Sequence, residues 1–197
     1  MSATTRPRVV VLAGINGAGK TTASQDLLSK VLKIPTFVNA DAIARGLNGL
    51  NPESQAFAAG RIMLAQMHEL AAKREDFAFE TTLAARTYAG WLASLRAEGY
   101  FVYLFYYWLE SPDLAISRVA SRVKSGGHFV PDATIRQRYT RSARNFFELY
   151  RPQADYWEVY DNTDGKRVLV AIGETDEETL IEDESTWEAF QRSAYDA

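Results

Sequence analysis

Residues 14–22 read GINGAGKTT. Gly14, Gly19, Lys20 and Thr21 fit the spacing G-x-x-x-x-G-K-[ST], and the chemistry requires that spacing. Glycines let successive backbone N–H groups turn inward around a phosphate, the lysine reaches the outer phosphates, and the hydroxyl ligates Mg²⁺. Asn16, Gly17, Ala18 and Thr22 complete the same wrap. A helix starting near Gly19 adds the positive end of its dipole. The expected ligand is ATP with Mg²⁺.

Holding a triphosphate is not transferring it. Transfer needs a base, an acceptor site and positive charge on the phosphoryl group in flight. Two carboxylates stand where strands should end, which is where open α/β sheets bind ligands. Asp41, in VNADAIA, suits proton acceptance from an acceptor hydroxyl or a water-mediated hold on Mg²⁺. It is equally placed to N-cap a helix starting at Ala42. Glu80 follows Phe77, Ala78 and Phe79 in FAFETTL. A carboxylate ending an apolar strand must be paired or functional, here as a metal or substrate ligand. Thr81 and Thr82 extend that edge with hydroxyls. Asn39 and Arg86 add polar groups compatible with many sugars or nucleotides.

Arginines supply the charge. Arg118 and Arg122 are four apart and share one side of a helix, as do Arg138, Arg141 and Asn145. Between the two groups runs KSGGHFVPDAT, bounded by glycines. Two arginine-bearing helices joined by such a loop suggest a lid over residues 111–150 that excludes water and favours transfer over hydrolysis. His128, in that loop, is a candidate substrate contact.

These residues need a scaffold, and the apolar pattern outlines one. Val9–Leu12 reads as a strand buried on both faces. Lys20–Leu32 has helical spacing, ended by Pro35. Thr36–Asn39 is a second strand, 53–75 a long helix, Asp76–Glu80 a third strand and Thr87–Glu98 a helix stopped by Gly99. The run YFVYLFYYWLES is a central buried strand. Ser111-Pro112-Asp113 then starts a helix with an N-cap, a proline and a first-turn acid. A helix over Asp132–Tyr150 and a fifth strand over Trp157–Asp161 follow. Asp164-Gly165 turns the chain into a hairpin over Arg167–Ile172. The acidic remainder carries a short strand and a surface helix. Strands alternating with helices predict an α/β fold with a mainly parallel, five-stranded sheet.

The chain has 197 residues, enough for one domain, with the hairpin and acidic tail (about 165–197) as an appendix. Net charge is −3 and the pI about 5.5, which argues against nucleic acid or an anionic membrane as main partner. With no cysteine, thiolate chemistry and cysteine-bound zinc are excluded. The apolar run Val9–Ala13 is shorter than the ~7–15 residues of a signal-peptide core. Phe101–Leu109 is well short of the ~20 a membrane helix needs. A cytoplasmic protein is expected.

GINGAGKTT, NADAIA, FETTL, RVASRVKSGGHFVPDATIRQRYTRSARNF and VYDN, in that order, resemble the zeta-toxin-type kinases over roughly residues 8–162. The resemblance implies a P-loop kinase fold and ATP with Mg²⁺ as phosphoryl donor. The acceptor it implies is a hydroxyl of a UDP-activated amino sugar. By it, Asp41 matches the general base, Lys20 and Thr21 the phosphate and metal contacts, and Glu80 a third-strand carboxylate in the acceptor site. Arg118, Arg122 and Arg138 are the candidates for binding the transferring phosphate. It also implies a small inhibitory, antitoxin-like partner. The GGHFVP element and the C-terminal hairpin set this chain apart as a short form. Two other readings fit the same residues: a housekeeping small-molecule kinase of gluconate, shikimate or nucleoside type, and a nucleotide-binding switch that transfers nothing.

Overall fold

The computed structural model describes residues 6–127, 129–175 and 177–195. Five strands run parallel: β1 (Arg8–Gly14), β2 (Thr36–Val38), β3 (Phe77–Thr81), β4 (Phe101–Trp108) and β5 (Tyr156–Asp161). Two more, β6 (Val168–Glu174) and β7 (Leu180–Ile181), pair antiparallel beyond β5. The sheet order is β2-β3-β1-β4-β5-β6-β7. The expected parallel sheet is therefore present and two strands wider, because the hairpin after β5 folds onto its edge rather than standing apart.

Seven α-helices are described: α1 (Lys20–Asp26), α2 (Ala40–Leu47), α3 (Ala56–Ala72), α4 (Thr87–Ala97), α5 (Pro112–Lys124), α6 (Asp132–Asn145) and α7 (Glu184–Tyr195). Helix α1 continues as a wider π-turn over Leu27–Leu32, and α6 does the same over Phe146–Tyr150. A 3-10 turn, Pro52–Gln55, precedes α3.

The apolar runs of β1, β3 and β4 arise because both faces of the sheet are covered. Val9, Val11 and Ala13 face one core with Met63, Met67, Leu92, Phe146 and Phe190. Val10 and Leu12 face the other with Leu28, Ala115, Val119 and Ile135. Helix α7 is more than a surface helix, since Trp187, Phe190 and Ala194 are buried in the first core. Trp187 stacks on Trp157 of β5 at 5.8 Å between ring centroids, and Phe190 packs on Phe146 and Phe147.

Candidate active site

The loop between β1 and α1 is built so that no side chain blocks it. Gly14 sits at φ +131°, and a Cβ there would stand 2.2 Å from the Tyr107 carbonyl oxygen. Gly19 sits at φ +82°, where a Cβ would meet Asn162 Nδ2 at 2.5 Å. Asn162 itself donates from Nδ2 to the Ala18 carbonyl at 2.9 Å and so ties the end of β5 to the loop. Only glycine satisfies both the dihedral and the space at these two positions.

Lys20 is 6% exposed, and its ammonium donates to the Ile15 carbonyl at 2.9 Å. Burial pulls its pKa below the ordinary lysine value, opposed by the carboxylates of Glu80 and Asp41. Glu80 Oε1 lies 3.6 Å from the Lys20 ammonium. The other carboxylate oxygen accepts from the Thr21 hydroxyl at 2.8 Å and from Asn39 Nδ2 at 2.9 Å. A carboxylate at the end of an apolar strand is thus satisfied by three partners. Parallel registry puts it there, since Glu80 is level with Leu12 of β1.

Asn39 holds two elements together. Its side-chain oxygen accepts from the Ala42 amide at 3.0 Å, so Asn39 is the N-cap of α2. Of the two roles open to Asp41, this removes the capping of a helix from Ala42. The helix starts at Ala40, because the extended backbone of Asn39 lets its side chain reach the free amide. Asp41 lies in the first turn, relieved of capping, and lines a pocket of about 450 Å³. Thr21, Asn39, Arg45, Glu53 and Arg122 line the same pocket.

The lid arginines divide. Arg122, near the end of α5, faces this pocket and acts electrostatically on Lys20. Arg138, on α6, reaches over the loop and donates from Nη1 to Asn16 Oδ1 at 3.0 Å. Burial lowers its pKa while the Asp41 carboxylate raises it. Arg118 instead donates to the Thr163 carbonyl at 2.6 Å, fastening α5 to the loop after β5. Arg141 is exposed, and Asn145 is buried with its amide donating to the Leu83 carbonyl at 2.6 Å.

The remaining candidates are spread out. Thr81 and Thr82 each close a tight turn, their hydroxyl oxygens accepting from Leu83 at 3.1 Å and Ala84 at 3.4 Å. Arg86 is exposed just before α4 and outside the pocket lining, and Thr22 is exposed on α1. His128 lies outside the described residues. Sequence reasoning missed Arg45, Glu53 and Asn162 as parts of the site. For Glu53 the signal was Asn51-Pro52-Glu53, a cap, proline and acid that start the 3-10 turn. For Asn162 it was the asparagine that ends VYDN. Arg45 is signalled by its place one turn after Asp41, whose carbonyl it meets at 3.3 Å.

The residues present fit a triphosphate and a hard cation. The glycine wrap admits no Cβ, Lys20 holds a buried positive charge, and Thr21 with Glu80 offers oxygen donors of the kind Mg²⁺ takes. Among the described residues no cluster of three or more His, Asp or Glu side chains forms a metal cage.

A family model described as an AAA domain matches residues 9–146. The chain belongs to that family. The match begins in β1 and runs through the glycine loop, Asp41, Glu80 and both lid helices. A Haemophilus influenzae protein, described as uncharacterised, is 28% identical over 135 residues, covering 67% of this chain and 92% of its own length. Among solved structures, a chain from the PezAT toxin–antitoxin system of Streptococcus pneumoniae is similar at a TM-score of 0.66 and 16% identity. That likeness covers 100% of this chain and 81% of the other. The AvrRxo1-ORF1:ORF2 complex is similar at 0.75 and 15%, covering 94% of this chain, which spans only 63% of that longer one. A gluconokinase from Sinorhizobium meliloti is similar at 0.51 and 17%, covering 79% and 82%. The fold of this family member is the zeta-toxin-like P-loop kinase fold. Among its described residues no helix is long and apolar enough to cross a membrane.

Proposed function

We propose that the protein is an ATP-dependent kinase that transfers the γ-phosphate to a hydroxyl of a small metabolite. One observation carries this reading: Asp41 is free of the capping role and shares a pocket with Thr21 of the phosphate loop and Arg122 of the lid. A carboxylate, a phosphate cradle and a positive charge facing one cavity are what transfer needs and what a switch does not.

In the proposed reaction the acceptor hydroxyl oxygen bonds to the γ-phosphorus as the bond from phosphorus to the β,γ-bridging oxygen breaks. The electron pair leaves on ADP, and the hydroxyl proton passes to an Asp41 carboxylate oxygen. Lys20 and the loop amides hold the outer phosphates. Arg122 and Arg138 stabilise charge on the phosphoryl group. Thr21 and Glu80 would hold Mg²⁺, which when bound neutralises phosphate charge and aligns the phosphates. Single-domain organisation and a cytoplasmic setting belong to the same reading.

The resemblance to zeta-toxin-type kinases favours a UDP-activated amino sugar as acceptor, and the fold shared with a gluconokinase keeps sugar acids in view. The likeness to the PezAT system adds an inhibitory antitoxin-like protein as a second class of partner. Asp41→Asn tests the chemistry. Transfer is expected to fall by about 10²–10⁴-fold, the usual worth of a general base. ATP affinity, followed by calorimetry, is expected to stay near the wild-type value. Transfer that survives the substitution removes Asp41 as the base.

A further inference from the structure

Glu53 lines the proposed acceptor pocket, and its carboxylate also bonds the connection between α5 and α6. Its Oε1 accepts the backbone N–H of Phe129 at 3.0 Å, across 76 positions of chain. Phe129 lies two residues beyond Gly127, in the connection from α5 to α6. The same connection is packed on Arg122. Helix α5 ends with the amides of Ser125 and Gly127 both donating to the Arg122 carbonyl, at 3.0 and 2.9 Å. A Cβ on Gly127 would stand 2.5 Å from Arg122 Cγ and 3.1 Å from its Cδ. The glycine therefore lies flat against the arginine stem, whose head faces the pocket.

The other end of the contact is also built. Asn48 Oδ1 accepts from the amides of Leu50 and Asn51, each at 3.1 Å. Asn51 Oδ1 accepts from Ser54 N at 3.3 Å and caps the 3-10 turn that carries Glu53. Side-chain bonds of this kind fix short loops that lack a ladder of their own. A carboxylate held on such a base offers the amide a charge-assisted, directional bond.

We propose that Glu53 is a positioning residue for transfer: it holds the lid backbone at Phe129, keeps Gly127 against Arg122, and so sets where the Arg122 guanidinium stands in the pocket. Asp41 and Glu53 line the same pocket. One contact thus registers the base side of the site against the lid side. The inference rests on the kinase reading, because Arg122 is placed for a phosphoryl group in transfer. The bond is exposed, so its loss costs little stability, and its effect belongs in rate.

Three variants test it: Glu53→Leu, Glu53→Gln and Gly127→Ala. The glutamine carbonyl still accepts the Phe129 amide, so Glu53→Gln is expected to recover most of the kcat that Glu53→Leu loses. Misplacing a charge by an ångström slows transfer by up to about 10²-fold, and a loss of about 30-fold in kcat is expected for Glu53→Leu and Gly127→Ala. KM for the acceptor and the affinity for ATP should move little. Hydrogen exchange of the Phe129 amide, measured with no substrate present, should speed up in Glu53→Leu and stay slow in wild type and Glu53→Gln. Equal exchange in wild type and Glu53→Leu overturns the contact whatever the activity. A raised acceptor KM in Glu53→Gln as well as Glu53→Leu, with kcat kept, overturns positioning in favour of direct acceptor binding. An inactive wild type would instead count against the kinase reading, while the exchange comparison would still decide the contact.

Discussion

Glu80 gathers Lys20, Thr21 and Asn39 around one carboxylate, and that convergence organises the phosphate end of the site. A paired, hydrogen-bonded charge of this kind is tolerated near a core, where a lone one is not. Arg122 is a different kind of residue. In the proposed reaction it stands where charge develops, which puts its worth in the transition state rather than in nucleotide binding. Arg122→Ala is expected to lower kcat by about 10²–10³-fold, in the range for losing one preorganised donor. ATP affinity by calorimetry should change far less, and equal losses in the two would make Arg122 a nucleotide anchor. Much of this was legible in the sequence. The glycine spacing named the loop, and an acid ending an apolar strand named Glu80. The helical spacing of Arg118 and Arg122 did not separate them. Four residues advance a helix by a little over one turn, and only the loop after β5 tells which arginine it captures.

Helix α6 links both ends of the site as an element. Midway along it Arg138 lies on the glycine loop, and further on the helix clamps the turn after β3. Ser142 donates to the Thr82 carbonyl, Asn145 to that of Leu83, and Tyr150, in the π-turn, to that of Ala85. Leu83 needs this support, since it is buried at φ +55° where a branched side chain is strained. Asn145→Ala leaves a buried carbonyl unpaired and is expected to cost about 1–3 kcal/mol, read from urea denaturation. An unchanged midpoint would mean the turn holds itself. The helix itself was legible in the sequence, with Arg138, Arg141 and Asn145 on one side, whereas its final π-turn was not. Periodicity over five residues does not distinguish wider winding from regular helix. The 3-10 turn at Pro52 was likewise folded into the long helix after it, although proline at the first position marks a start.

At the scale of the whole molecule, the mainly parallel sheet follows from alternating strands and helices, and β4 lies central as its aromatic run suggested. The hairpin strand and the short strand after it were legible, whereas their joining the sheet and the burial of α7 were hidden. Their sequence is acidic and short-patterned, and its apolar residues, Trp187, Phe190 and Ala194, find partners only in distant elements. The pocket escaped for the same reason: α1, α2 with its N-cap, the loop before the 3-10 turn, that turn itself and the end of α5 all contribute to its lining. The most direct test of the proposed activity is mass spectrometry of products from pure protein, ATP and Mg²⁺ with a panel of UDP-sugars, sugar acids and nucleosides. The expected result is one panel member heavier by a single phosphate, formed in step with ADP and lost in Asp41→Asn. Tight ATP binding with no phosphorylated product from any member would contradict transfer and favour a nucleotide-binding switch.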